Sequence, residues 1–335
     1  MSGRAAVGPM TGSAGFAWTV ARRRPFSVLV QVTNRCNLRC PFCDFWPNPD
    51  RAHELTHDEH VRVATELAEV GTFLVSIEGG EPLVRPDLPA ILAAYSRAGH
   101  LPLLYTNGWF VDDAAVERLA EAGVHQVGVS VDFPDAARHD HMRGAVGTWD
   151  RAVAATERLA RRLGPKVHLM TVLMRENQED LETLLSLSAR LGVKHQVTLL
   201  SDVGFRRARV EGATRPDAAA MTALPRLAAL HPHFTAFRSY LDGVSAFLTG
   251  GELPRCRAGV QSLNIDHVGG VSACIETIDR PVGNVREAPL RTLLQRLAEA
   301  DRGAGCQDCW TLCRGTAQAL GQGGGVRDWF DLARM

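Results

Sequence analysis

The sequence lacks a net charge: 37 Lys and Arg stand against 37 Asp and Glu in 335 residues. A balanced chain gives no reason to expect nucleic acid or a membrane surface as the main partner. The basic runs Arg22-Arg23-Arg24 and Arg206-Arg207-Ala208-Arg209 are local and read as solvated surface. No apolar stretch reaches the ~18 residues of a membrane span. A secretory signal is also missing. Arg22-Arg23-Arg24-Pro25-Phe26 is followed only by the short apolar run Ser27 to Val32, with no small-residue cleavage site. These absences, with 45% hydrophobic residues, predict a soluble cytoplasmic protein with a sizeable core and reduced thiols.

What the chain does have is eight cysteines, and they are grouped. Cys36, Cys40 and Cys43 form a C-x3-C-x2-C run directly after the apolar stretch Val28 to Val32. Three thiolates on one short loop suit three corners of a four-iron cluster and leave the fourth iron open to a substrate or cofactor. Two other readings exist. Structural zinc normally uses two well-separated ligand pairs, and disulfides need an oxidising compartment. Further along, Ser76-Ile77-Glu78-Gly79-Gly80-Glu81-Pro82-Leu83 follows a second apolar run. A Gly-Gly pair alone marks no more than a turn.

Together, Val32-Thr33-Asn34-Arg35-Cys36 through Cys43 and Gly79-Gly80-Glu81-Pro82 resemble the two signatures of the radical S-adenosylmethionine (SAM) enzymes. The resemblance covers about residues 28–200. It implies that Cys36, Cys40 and Cys43 hold a 4Fe-4S cluster. It also implies that Phe42, Gly79, Gly80, Glu81, Ser130 and Asp132 bind the cofactor, and that Thr106 and Asn107 lie near its ribose or the substrate. The run His139-Asp140-His141-Met142-Arg143-Gly144, followed by Gly147-Thr148-Trp149-Asp150, is similar to one in the same subgroup and is expected to be structural.

Short apolar runs alternate with amphipathic helical stretches from Ser27 to Leu200. Strands are expected at Ser27–Val32, Leu74–Ile77, Leu101–Thr106, Gln126–Val131, Val167–Val172 and Gln196–Leu200. Such alternation means a parallel sheet. Six units suit a partial (βα)6 TIM-like barrel, with its site at the carboxyl ends of the strands. The motifs fall at those ends. The expected division is a poorly ordered segment 1–25, a barrel 26–230, and a small C-terminal iron–sulfur domain 231–335.

Five cysteines follow Cys43, the eight less the first three. Cys256-x12-Gly269-x4-Cys274, then Cys306-x2-Cys309-x3-Cys313, is similar to the C-terminal extension called SPASM, or its shorter twitch form. A full SPASM domain carries more cysteines and two extra clusters, so the twitch form with one auxiliary 4Fe-4S cluster is the expectation. Cys256, Cys274, Cys306 and Cys309 match the twitch spacing. Cys313 is then left over. It is a packed thiol, an alternate ligand, or a hydrogen-atom donor to a substrate radical. A four-sulfur zinc site has similar spacing.

The resemblance implies reductive cleavage of SAM to a 5'-deoxyadenosyl radical, driven by an external electron donor such as flavodoxin or ferredoxin. Hydrogen abstraction, with oxidation or epimerisation of the substrate, would follow. Peptide-modifying members often carry a peptide-recognition domain before the barrel, and here only a short segment precedes Ser27. The expected substrate is therefore a small molecule (sugar, nucleoside, cofactor precursor or lipid). The alternatives are a maturase of a ribosomally made peptide, or a non-catalytic zinc or iron–sulfur protein.

Overall fold

The computed structural model describes residues 19, 24–47, 53–204, 214–300, 306–321, 328 and 331. The expectations about most of segment 1–25 and about the run 206–209 lie outside these residues. Six strand–helix units come first: β1 (Ser27–Thr33), α1 (His57–Val70), β2 (Leu74–Gly79), α2 (Leu88–Arg97), β3 (Leu101–Thr106), α3 (Asp113–Glu121), β4 (Gln126–Ser130), α4 (Ala136–Arg143), α5 (Thr148–Leu163), β5 (Val167–Leu173), α6 (Leu181–Arg190) and β6 (Lys194–Leu199). After them come α7 (Ala218–Met221), α8 (Leu224–Leu230), α9 (Arg238–Leu248), β7 (Ser262–Ile265), β8 (Gly270–Ser272), β9 (Gly283–Asn284), α10 (Leu290–Ala300) and α11 (Leu312–Gly321).

Strands β1 to β6 lie side by side in chain order, all parallel. One face carries Val28, Val30, Val32, Val75, Ile77, Leu104, Val127, Val129 and Leu169, all fully buried under the helices. Each such side chain contributes about 1.5–3 kcal/mol when buried. Helix α1 shows how the local sequence sets an element. Thr56 Oγ1 accepts from Glu59 N (3.3 Å), Glu59 Oε2 accepts from Thr56 N (2.8 Å), and Gly71 closes the helix in the left-handed region.

The opposite face is unusual for a parallel sheet, which normally buries apolar side chains on both sides. Ser27, Ser76, Glu78, Tyr105, Ser130 and Thr198, from five of the six strands, line one cavity of about 290 Å³. Met170 and Val172 of β5 complete the ring. Residues of all six strands thus line this one cavity.

The sheet does not close strand to strand, because β1 pairs with β7 rather than β6. The C-terminal strands β7 to β9 thus extend the same sheet. The far edge, β6, meets residues 233–235: His195 N donates to His233 O (2.8 Å) and Thr235 N to His195 O (2.9 Å). The opening between β1 and β6 is filled by C-terminal residues. Leu312 N donates to Thr198 Oγ1 (3.1 Å), and Trp310, 1% exposed, stacks on Tyr240 and donates to its carbonyl (2.8 Å).

One ion network ties the loop after β1 to the rest. Glu54, 8% exposed at its side chain, accepts from Arg35 Nε (2.9 Å) and from the Thr33 hydroxyl, and lies 3.9 Å from Arg85. Arg85 also donates to the carbonyls of Val32 (2.8 Å) and Leu55 (3.0 Å) and pairs with Asp87. Removing one partner of a buried ion set costs about 3–5 kcal/mol. Glu54→Gln should therefore lower the unfolding free energy by about 3 kcal/mol in anaerobic denaturant titration. A loss below ~1 kcal/mol would show that the network does not hold the loop.

Candidate active site

The site grows from the ends of β1 and β2. Gly80 N donates to Thr33 O and Glu81 N to Arg35 O, both at 2.8 Å. This contact requires glycine: a Cβ at Gly80 would lie 2.1 Å from Arg35 O, and one at Gly79, at φ +148°, would lie 2.0 Å from Thr33 O. The two motif loops are therefore held backbone to backbone. Glu81, 1% exposed, then reaches the end of β3. It accepts from Thr106 Oγ1 (2.7 Å), Asn107 N (2.7 Å) and Leu83 N (3.1 Å). Burial pushes its carboxyl up to about 7, against the pull of those donors.

Cys36, Cys40 and Cys43 face the cavity. Burial raises Cys36 to about 11 and Cys40 to about 12, with the neighbouring thiols adding to the rise. Occupation by a metal group must therefore release protons. Among the described residues, no three Cys, His, Asp or Glu side chains converge as around a single ion. The thiols are donors spread along a cavity wall.

The structure brings Phe42, Gly79, Gly80, Glu81, Thr106, Asn107 and Ser130 to the same cavity. Asp132 is placed differently. It is fully buried behind the wall, 2.5 Å from Arg143, and accepts from Val172 N (2.9 Å). It is Arg143 that lines the cavity, beside the thiols: Cys40 Sγ lies 3.7 Å from Arg143 O, and the guanidinium stands over Phe42. A run expected to be structural thus supplies a cation to the site. Its sequence signal was an arginine inside a helix otherwise capped by Asp135 and Gly144. Glu78, Tyr105 and Trp46 also line the cavity without having been expected.

The second cysteine group is brought together as well. Cys256 and Cys306 share a hydrogen bond between thiols, which lowers Cys256 and raises Cys306. Cys309 is pushed up to about 12 by burial, then by Cys313 and Cys274. Arg314 donates to the carbonyls of Cys309 (2.8 Å) and Pro254 (2.7 Å), fixing two of the segments that carry these thiols. Cys313 differs from the other four in lining the main cavity. A small apolar group, Leu29, Phe45 and Ile275, is touched by both Cys43 and Cys313.

The donor set fits an iron–sulfur cluster with a ligand beside it. Three thiols border a cavity large enough for more than a metal ion. Gln31, 1% exposed, has neither amide atom satisfied, and Asn37 Nδ2 is buried without a partner. In the cavity wall itself, Arg143 Nε is buried without a partner, and such an orphan calls for a polar occupant.

A model of the Radical SAM superfamily matches residues 30–187. The mycofactocin maturase MftC of Mycobacterium ulcerans is 32% identical over 315 residues, covering 88% of this chain and 83% of MftC. The chain belongs to the radical SAM superfamily. A PqqA peptide cyclase of Granulibacter bethesdensis is 32% identical over 169 residues, covering 50% of this chain and 45% of the cyclase. An AdoMet-dependent heme synthase of Methanosarcina barkeri is 34% identical over 182 residues, covering 54% and 52%. The chain spans about half the length of these last two relatives. Among solved structures, Streptococcus suis SuiB bound to precursor peptide SuiA superimposes with a TM-score of 0.68 at 18% identity, covering 84% of this chain and 68% of SuiB. The fold is therefore the radical SAM fold. Membership implies SAM and a 4Fe-4S cluster as cofactors, and an auxiliary 4Fe-4S cluster is typical of relatives of the SPASM/twitch type.

The backbone contact at Gly80 yields a prediction. Gly80→Ala should force the loop carrying Cys36 away from β2. Iron bound after anaerobic reconstitution should fall together with SAM cleavage. Full iron with lost cleavage would instead place the defect at SAM alone.

Proposed function

We propose that this protein is a radical SAM maturase that modifies a peptide. The observation that carries the reading is the similarity to mycofactocin maturase along most of both chains. The PqqA peptide cyclase supports it over the shared half. A small-molecule substrate is the second reading, favoured by the heme synthase relative.

In this proposal Cys36, Cys40 and Cys43 hold the SAM-binding cluster, and Cys256, Cys274, Cys306 and Cys309 hold the auxiliary one. The bound cofactors supply the carbon radical that takes hydrogen from the substrate. The chain's own residues do the positioning. Gly79, Gly80 and Glu81 present their backbone edge to SAM, with Thr106, Asn107 and Ser130 beside it and Phe42 packing against it. Glu81 fixes that edge through its bonds to Thr106, Asn107 and Leu83. Arg143 offers its charge to the anionic groups at the thiols, and Asp132 and Phe42 hold it there. Trp310 and the residues after it shut the gap between β1 and β6, keeping water from a reactive radical. Cys313 stays outside the four-thiol set. Its S–H bond, weaker than most C–H bonds, makes it a hydrogen donor to a substrate radical.

Two measurements check these assignments. Reconstituted protein should carry about eight irons, two four-iron clusters, and Cys313→Ala should keep them all. About four irons with one zinc would overturn the auxiliary cluster. The substrate reading is tested by anaerobic turnover with SAM, using short peptides encoded beside this gene and, separately, a small-metabolite extract. A mass change confined to one peptide is expected. A change confined to the small molecules would overturn the peptide reading.

A further inference from the structure

The chain has three tyrosines, and two are engaged: Tyr95 Oη is bonded to His60 Nδ1 (3.1 Å), and Tyr240 Oη accepts from Leu199 N (3.1 Å). Tyr105 is different. It projects from β3 into the chamber, its hydroxyl has no hydrogen-bond partner among the described residues, and burial holds the phenol far above its ordinary range. Its electrostatic neighbours are Glu78 and Cys313, both of which line the same chamber. On its other side stands His168, 3% exposed, with ring centroids 6.0 Å apart at 73°. His168 Nε2 also lacks a partner. Space for the pair depends on Gly128, where a Cβ would lie 2.7 Å from both His168 Nε2 and the Tyr105 ring.

We propose that Tyr105 is a catalytic residue that returns a hydrogen atom to Cys313. This rests on the reading of Cys313 as donor. A carbon radical in the chamber takes hydrogen from the Cys313 thiol, giving a C–H bond and a thiyl radical. The thiyl radical takes the hydroxyl hydrogen of Tyr105, restoring the thiol and leaving a phenoxyl radical. One electron from the low-potential donor that drives SAM cleavage and one proton restore the phenol. His168, whose Nε2 has no partner and whose ring stands edge-on to Tyr105, is placed to hand over that proton. A phenolic O–H is close in strength to an S–H bond, so the step between them is nearly balanced and reversible. Both hydrogens exchange with solvent.

The test needs no substrate. The reconstituted holoprotein is reduced, freed of excess reductant, mixed with SAM in heavy water and frozen for electron paramagnetic resonance. The 5'-deoxyadenosine formed is weighed for deuterium. Wild type should give deuterated 5'-deoxyadenosine and a tyrosyl signal that narrows when ring-deuterated tyrosine is incorporated. Tyr105→Phe, with unchanged iron and SAM affinity, should keep the deuterium and lose the tyrosyl signal. Cys313→Ala, also with full iron, should lose both. A tyrosyl signal that survives in Tyr105→Phe, or its absence from wild type that still yields deuterated product, would overturn the role of Tyr105 and leave Cys313 as donor. Product without deuterium in wild type would remove the donor reading of Cys313, and this inference with it.

Discussion

Two backbone hydrogen bonds of 2.8 Å, from Gly80 N to Thr33 O and from Glu81 N to Arg35 O, are the contact on which the site depends. They join the loop that carries three thiols to the loop that follows the next strand. No side chain fits between them, so sequence and geometry are locked together at residues 79 and 80. Everything else at the site hangs on that join. Glu81 extends it to β3 through Thr106 and Asn107, and Asn107 Nδ2 donates back to Asn37 Oδ1 (2.9 Å), next in the chain to Cys36. The Glu54 network braces it from below. The result is a closed circuit of hydrogen bonds around the strand ends, stiff enough to hold thiols in place before any cofactor arrives.

A polar interior is the cost of the chemistry. Parallel strands are usually apolar on both faces, and the inner face here sets Ser76, Glu78 and Tyr105 among leucines such as Leu29, Leu74 and Leu103. Orphaned amides at Gln31 and unpartnered ring nitrogen at His168 each cost stability in the empty protein. The helices recover it on the outside, where valines and leucines are fully buried. The C-terminal part does two jobs at once. It extends the sheet beyond β1 and packs against β6, and it carries the second group of thiols. Leu29, Phe45 and Ile275 form the apolar contact between the two groups, touched by Cys43 and Cys313.

Local patterns were legible in the sequence, and long-range placement was not. Strand β3 falls at Leu101–Thr106 as its apolar run predicts, and β1 and β2 each run further, into the motif residues. The pairing of β7 with β1 was hidden, because a four-residue strand, Ser262–Ile265, carries too little periodicity to announce a partner as distant in the chain as Ser27 is from Ser262. Arg143 looked structural for a related reason. Only the fold shows that helix α4 ends with this residue against Cys40, and that Asp132 stands behind it rather than at the cavity. Tyr105 went unmarked because a tyrosine in a strand is ordinary β-former chemistry. The comparisons favour the maturase alternative over the small-molecule expectation, since most of this chain aligns with a mycofactocin maturase.

The central claim is that SAM is bound and cleaved at the cluster held by Cys36, Cys40 and Cys43, with the other thiols serving a separate centre. Electron paramagnetic resonance of the reduced protein, with and without SAM, tests it most directly. The account predicts that SAM reshapes the cluster signal in wild type and in a Cys256→Ala/Cys274→Ala variant. In the Cys36→Ala/Cys40→Ala/Cys43→Ala variant the remaining signal should not respond to SAM. A SAM-responsive signal in that triple variant would contradict the account.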